Sequence, residues 1–529
     1  APGAVRAPHH APEEWTRRWK GKFDQGWDKM REQTLERQIK LGVVPEGTKL
    51  TPRSPAIPAW DSLTDDQKRL VTRQPAVFAG FLEFTDHEIG RVIQAVREIG
   101  ELDNTLVIFV AGDNGMSAEG QSWGTLNEYT YFNGVEASVE ELLEHLDDWG
   151  GPKTLPHMAR GWALVFGTPY EYVKQVGSDY GGTKVGMAIR WPKGGVPADR
   201  EPRPQFHFVS DVAPTILEAI GLPEPRMVNG TPQRPMDGLS MSYTFQNASA
   251  PERRKTQYLE NFGNRGIYHE GWLARTINRA PWETEARGAL EDSTWDLFDT
   301  KQDFSLSTNL AAQQPQKLAE LQALFMAEAS RNFVLPIDVR TLARAVPSIA
   351  GRPDLMAGRN SLALAEGMTG MSENVFIDIK NQSKTIVAEV VVPEDGGDGA
   401  ILVQGGRFGG WALYVQDGVP AYHYNFLNIQ RFTVKADKPL PPGKSEIRFE
   451  FAYDGGGLGQ GGMGTLYVND QKVGEGRIER TQARLFSADE TADVGIDLHT
   501  PVVEAIGAGH SSRFSGRIPR VTVAVERSN

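Results

Sequence analysis

The sequence predicts an α/β domain over residues 1–370, followed by an all-β jelly-roll sandwich over residues 372–529. Three observations predict it. An amphipathic pattern at about 65–99 runs straight into a continuous apolar stretch, Leu106–Ala111. A long helix delivering a strand buried on both faces is the pattern of a parallel α/β sheet. From Asn374 onward, short runs alternate with period two between Gly, Asp and Asn turns, and no long helical pattern interrupts them. Finally, 529 residues exceed the roughly 250–300 at which a single core stops growing.

Taken in order, residues 12–40 read as a Trp- and Gly-punctuated loop, then a helix from Trp27 that ends near Gly42. LTPRSPAIPAW (50–60) is a proline-broken connector. In the long helix the apolar positions Leu82, Ile89, Val92, Ile93, Val96 and Ile99 recur at three- and four-residue spacing, and Gly100 is a C-cap. Met187–Trp191 reads as a short strand ending at Pro192, and Asp211–Ile220 as a helix stopped by Gly221. Residues 255–310 alternate aromatic and polar side chains as strands of a smaller sheet do, and Leu318–Ser330 is helical. In the C-terminal part the runs NVFIDIK, TIVAEVVV, AILVQGG, WALYVQDG, SEIRFEFAYD, GTLYVND and RVTVAVE are the expected strands. DGGGLGQGGMG (454–464) reads as a hairpin loop, because no helix follows it as a phosphate cradle would require.

Composition narrows the function. A net charge of −12 argues against a nucleic-acid partner, which needs a basic face, but leaves room for a positive pocket. There is no cysteine, so disulfides, thiolate metal sites and cysteine nucleophiles are excluded from this chain. No run approaches the ~18 apolar residues of a membrane span. Twelve tryptophans and 56 glycines suit the loop-rich, aromatic-lined architecture of many carbohydrate-active proteins.

Three short motifs carry chemistry. GDNG (112–115) follows the apolar run directly, where the loops at the carboxyl ends of parallel strands form the active crevice. Asp113 and Asn114 there offer hard oxygens suited to Ca²⁺ or Mg²⁺; the plainer alternative is an Asx turn. In YEYVKQVGSDYGGTKVGMAIRWP (170–192), Lys174 precedes a Gly-Gly turn and could neutralise an oxyanion, or be an ordinary solvated lysine. Asp179 and Lys184 flank the same turn. The third motif is His9-His10 between prolines, where an imidazole could serve a leaving oxygen or merely hold the loop.

In this order the motifs resemble the type I sulfatases, specifically the large bacterial arylsulfatases of the alkaline-phosphatase superfamily. The resemblance runs from APHHAPEEWTRRWKGKFDQGWDKM through FLEFTDHEIGRVIQAVREIGELDNTLVIFVAGDNGMSAEG, TPYEYVKQVGSDYGGTKVGMAIRWPKG and QFHFVSDVAPTILEAIGLPEP to NRGIYHEGWLA and WDLFDTKQDFS. It implies a sulfuric ester hydrolase that releases sulfate from a sulfated small molecule or glycan. Under it His9 contacts the ester and assists the leaving group, Lys174 binds the sulfate, and Asp113 and Asn114 are two of the ligands of a calcium ion. Asp179 stands where many relatives carry histidine. The implied nucleophile is a formylglycine made from Cys or Ser within C/S-x-P-x-R, and the expectation is that this chain lacks it. The paired aspartates that complete the calcium site belong to the same N-terminal portion of the family. The chain is therefore expected to start partway through the catalytic domain, with that portion elsewhere, as a separate chain if it exists, and to be inactive by itself. A periplasmic or secreted location is expected. Two rivals stand beside this reading: a metal-dependent phosphoryl hydrolase or transferase of the same superfamily, and a non-catalytic carbohydrate-binding protein. In the second, Trp411, Tyr414, Tyr422 and Tyr424 would stack on sugars, although strand aromatics more often pack a core.

Overall fold

In the computed structural model of the chain, the residues described are 6–112, 114–199, 201–341, 351, 353 and 355–526. The chain divides into two compact units. The first takes residues 1–124, 142–151 and 157–341; the second takes 125–141, 152–156 and 342–529. Two short segments of the region expected to be wholly α/β thus cluster with the sandwich.

The first unit is organised by the helix Asp65–Glu98. Thr64 starts it with a capping box: its hydroxyl accepts from Gln67 N and its own N–H donates to the Gln67 side chain. Only its N-terminal half is core, through Leu70, Val71, Val77, Phe78 and Phe81. The helices Gly26–Lys40 and Arg160–Phe166 pack with it around three tryptophans. Trp27, Trp60 and Trp162 meet edge to face with centroids 5.0–6.0 Å apart. Their polar ends are satisfied where shown, Trp162 Nε1 on Val71 O (2.8 Å) and Trp27 Nε1 on Pro58 O (3.0 Å).

The apolar run forms the strand β1 (Val107–Ala111), but its setting differs from expectation. It pairs antiparallel with β2 (Gly186–Arg190) in a two-stranded ladder. Phe109 and Val110 are 42% and 41% exposed. The stripe at the end of the long helix is likewise open, with Val92 and Ile99 exposed. An apolar run reports what a strand can bury; pairing direction and layering depend on neighbours distant in sequence.

A two-residue hairpin, β3 (Met227–Val228) and β4 (Thr231–Pro232), follows the helix Val212–Ala219. Then β5 (Thr256–Asn261), β6 (Asn264–His269), β7 (Trp272–Thr276) and β8 (Asp296–Asp299) make an antiparallel sheet in sequential order. The helix Pro315–Arg331 covers one face through Leu321, Phe325 and Ala329. The other face holds Tyr170 and Tyr180, which flank the Lys174 loop.

The second unit is an antiparallel sandwich. Its strands are β9 (361–364), β10 (384–392), β11 (399–406), β12 (409–416), β13 (419–426), β14 (430–435), β15 (443–453), β16 (462–468), β17 (471–478), β18 (492–494) and β19 (517–525). They form a six-stranded sheet, β17-β16-β15-β10-β19-β9, and a five-stranded sheet, β14-β13-β12-β11-β18. The facing sheets share one core, and the rings of Tyr422 and Phe449 stack across it at 3.6 Å. Trp411, Tyr422 and Tyr424 are in this core, and Tyr414 is buried on the opposite face of its sheet, so none presents a ring to a sugar. NVFIDIK is not a strand: residues 373–375 make a single 3₁₀ turn, and Phe376, Ile377 and Ile379 fill the core from a loop.

Candidate active site

His9 lies beneath the long helix, 1% exposed. Its ring meets Phe78 edge-on at 5.0 Å and lies 6.2 Å from Phe81. On its other side, 5.0 Å away, is the ring of His157. His157 is equally buried and precedes the helix Arg160–Phe166. Nothing in its local sequence singled it out, because only the fold brings it to His9. His9 Nδ1 and His157 Nε2 are buried without a hydrogen-bond partner. Orphaned buried polar atoms are uncommon, and here two stand on facing rings.

The cluster continues through charge. His157 interacts electrostatically with Glu119 and Lys174. Lys174 Nζ pairs with Glu119 Oε2 at 3.1 Å, with both side chains mostly buried. Gln175 Nε2 donates to the other carboxylate oxygen at 2.9 Å, and Ser117 Oγ donates to Oε2 at 3.1 Å. Burial raises the Glu119 pKa, but Lys174, His157 and these hydrogen bonds outweigh it and leave the carboxyl below its ordinary value. Burial pushes the His157 pKa down to about 4, with Lys174 and Arg6 adding to the effect and Glu119 opposing it. Burial, then electrostatic interaction with His157 and His10, holds His9 well below the ordinary histidine value. At neutral pH the site therefore has two neutral imidazoles beside an ammonium–carboxylate pair.

The loops are held by backbone contacts that require particular residues. Lys174 N donates to Met116 O at 2.9 Å, fastening the segment after GDNG to the lysine loop. Gly115 has φ +76°, and a Cβ on it would lie 2.0 Å from Gly181 O. A Cβ on Gly120 would lie 2.0 Å from Met158 O. Gly115 and the YGGT turn are thus packed together with only glycine tolerated at position 115. Buried Gln74 of the long helix spans the same region, accepting from Ala159 N (2.8 Å) and donating to Trp123 O (2.6 Å).

Asn114 is exposed on this loop, and Asp113 lies outside the described residues. Among the described residues no group of three or more His, Asp or Glu side chains is arranged to hold a metal ion. Ca²⁺ takes six to eight oxygens; Asn114 offers one amide oxygen, and Glu119 is engaged by Lys174, Gln175 and Ser117. The described donors do not make up the expected calcium shell. Asp179 has a structural role: its side chain caps the helical turn Tyr180–Thr183 through Gly181 N (2.7 Å) and pairs with buried Arg275 of β7.

Comparison with known proteins adds the family. The sulfatase family model matches residues 4–222. Those residues are a sulfatase-family domain. The match takes in His9, the GDNG segment, His157 and Lys174. An uncharacterized sulfatase of Schizosaccharomyces pombe is 29% identical over 325 residues, covering 60% of this chain and 54% of that protein. An arylsulfatase of Klebsiella aerogenes is 26% identical over 242 residues, covering 45% and 50%. The chain thus spans about half the length of the curated relatives it matches. A solved structure described under glycosaminoglycan metabolism by Bacteroides thetaiotaomicron is 18% identical, covers 50% of this chain and 46% of its own, and has a TM-score of 0.31.

The nucleophile motif needs one correction. The letters S-x-P-x-R do occur once, as Ser249-Ala250-Pro251-Glu252-Arg253. Ser249 ends a turn closed by Ala250 N on Asn247 O (3.2 Å); it is exposed, and its hydroxyl is bonded to Asn247 Oδ1 (3.0 Å). Glu252 is tied to Phe206 N and Tyr268 OH, and Arg253 lies over the ring of Tyr243. These bonds anchor the turn to the four-stranded sheet and its approach loop, and none of them runs to His9, His157, Glu119 or Lys174. The pattern of letters is present without the setting of a nucleophile.

Proposed function

We propose that this chain supplies the sulfate-binding and leaving-group side of a sulfate ester hydrolase acting on an aryl sulfate or sulfated glycan, in a periplasmic or secreted setting. The observation that carries the reading is the buried cluster His9–His157–Glu119–Lys174, with two orphaned imidazole nitrogens, inside a sulfatase-family domain.

The chemistry follows from charge. An entering sulfate ester competes with Glu119 for the Lys174 ammonium, a charge-assisted contact to the sulfate oxygens. Its negative charge beside two buried neutral imidazoles raises their pKa values. His9 thereby becomes able to protonate the ester oxygen as the S–O bond breaks. Glu119 keeps the ammonium in place while the site is free of substrate. The attacking nucleophile, a formylglycine, is proposed to come from residues other than those of this chain. Calcium or magnesium at Asp113 and Asn114 belongs to the proposal only if oxygens beyond the described ones complete the shell, and no step above depends on it.

The test is hydrolysis of 4-nitrophenyl sulfate by the purified chain, alone and with a segment that carries the modified C/S-x-P-x-R motif. Turnover is expected only in the second case, falling about 10²–10⁴-fold in His9→Ala. Turnover by the chain alone that His9→Ala abolishes would show the nucleophile to be misassigned. Faster hydrolysis of 4-nitrophenyl phosphate than of the sulfate would favour the phosphoryl reading.

A further inference from the structure

The sandwich carries a second concentration of basic groups that the proposed reaction does not use. It lies on the outer face of the five-stranded sheet. Strand alternation puts His423 and Asn425 of β13, and Arg431 and Thr433 of β14, on this face, with Ala412 and Gly410 of β12 beside them. Arg431 stands diagonally across from His423, being the direct partner of Asn425. Arg407, on the turn between β11 and β12, is held by Asn425 Nδ2 donating to its carbonyl at 2.6 Å.

The bonding here is incomplete. His423 is 7% exposed, and its Nδ1 meets Thr433 Oγ1 at 2.8 Å while Nε2 is buried without a partner. Arg407 Nε is also buried without a hydrogen bond. The two guanidiniums share one carboxylate: Glu504 Oε1 lies 3.9 Å from Arg407 Nε and 3.5 Å from Arg431 Nη2. Both distances are long for a charge-assisted hydrogen bond, and the Glu504 side chain is 58% exposed. Two guanidiniums thus face one loosely held carboxylate, on a chain of net charge −12. Val502, Val503 and Ile506 of the same loop pack on Ala412, Tyr414 and Ala421, so this loop roofs part of the face and sets Glu504 over the arginines.

We propose that this face is a binding site for an oxyanion carried by an acidic glycan, a sulfate or a uronate carboxylate, and that Glu504 occupies the anion position until the ligand displaces it. Arginine's planar fork suits either group. The proposal does not depend on the chain's being part of a sulfatase.

The test is binding of the full chain to immobilised dextran sulfate, carboxymethyl dextran and plain dextran at fixed ionic strength. Either anionic polymer, but not plain dextran, is expected to bind; which one binds more tightly identifies sulfate or carboxylate as the natural group. Arg431→Gln and Arg407→Gln should each weaken binding about tenfold. Glu504→Gln, which removes no buried group, should tighten it. Arg520→Gln, an exposed charge on the other sheet, should leave it unchanged. Equal weakening by Arg520→Gln would reduce the effect to general polyelectrolyte attraction and overturn the site. So would unchanged or weaker binding by Glu504→Gln, or no binding to either anionic polymer.

Discussion

The burial of His157 sets the acid stability of the first unit. In the folded chain its pKa falls from the ordinary 6.5 to about 4, chiefly because burial disfavours the charged ring. In the unfolded chain it protonates below about pH 6.5. The unfolded state binds the additional proton, so the stability present above pH 6.5 is lost as the pH falls towards 4. At about 1.36 kcal/mol per pH unit, the full loss is about 3 kcal/mol, a large share of the 5–15 kcal/mol typical of a domain. His9, lowered in the same direction, adds to it. Glu119 does not enter this window, because a carboxyl held below its ordinary value gives up its contribution only at lower pH. The assay is urea unfolding followed by tryptophan fluorescence between pH 7.5 and 4.5. Eleven of the twelve tryptophans lie in the first unit, so the signal reports it almost alone. His157→Asn should lose about 2.5 kcal/mol less than wild type across that range, whatever its starting stability. Parallel pH profiles for the two proteins would refute the reasoning and mean that the ring is solvated or already charged.

Three further outcomes follow from the same structure. Lys174→Met strands the buried Glu119 carboxylate and should cost about 2–4 kcal/mol in thermal or urea unfolding; adding Glu119→Gln should recover most of it. Burial, reinforced by Glu490 and Asp493, pushes Asp497 up to about 7 against the hydrogen bond from Val502 N. Its ionisation penalises the fold increasingly as pH rises from about 4 to 7. Asp497→Asn should therefore slow amide exchange in β11 and β12 at pH 8 and change nothing near pH 4, and equal protection at pH 8 would contradict this. Co-expressed with a formylglycine-generating enzyme, the chain should keep an unmodified Ser249 by intact mass, and Ser249→Ala should not alter sulfate ester turnover by the completed enzyme.

Much of the local architecture was legible in the sequence. Apolar spacing and the glycine after it located the helix Asp65–Glu98, and period-two runs located the long strands of the sandwich. These features depend on backbone geometry within a few residues, so a short window carries them. The order of the motifs alone also points to the sulfatase family, because a family imprint is written along the chain. Where the sequence misled, distant partners decided. Val107–Ala111 is as apolar as a buried parallel strand, yet it pairs antiparallel and lies open. NVFIDIK alternates like a strand and buries its residues from a loop, because Phe376, Ile377 and Ile379 reach the core without joining a ladder. The candidate site is the clearest case. His9 and Lys174 stand out in the sequence, but Glu119 and His157 do not, and the pairing of Glu119 with Lys174 appears in no local pattern. Tertiary structure alone places the two imidazoles 5.0 Å apart and removes them from water. That desolvation, a property of the packed fold and not of any segment, makes their protonation depend on what binds beside them.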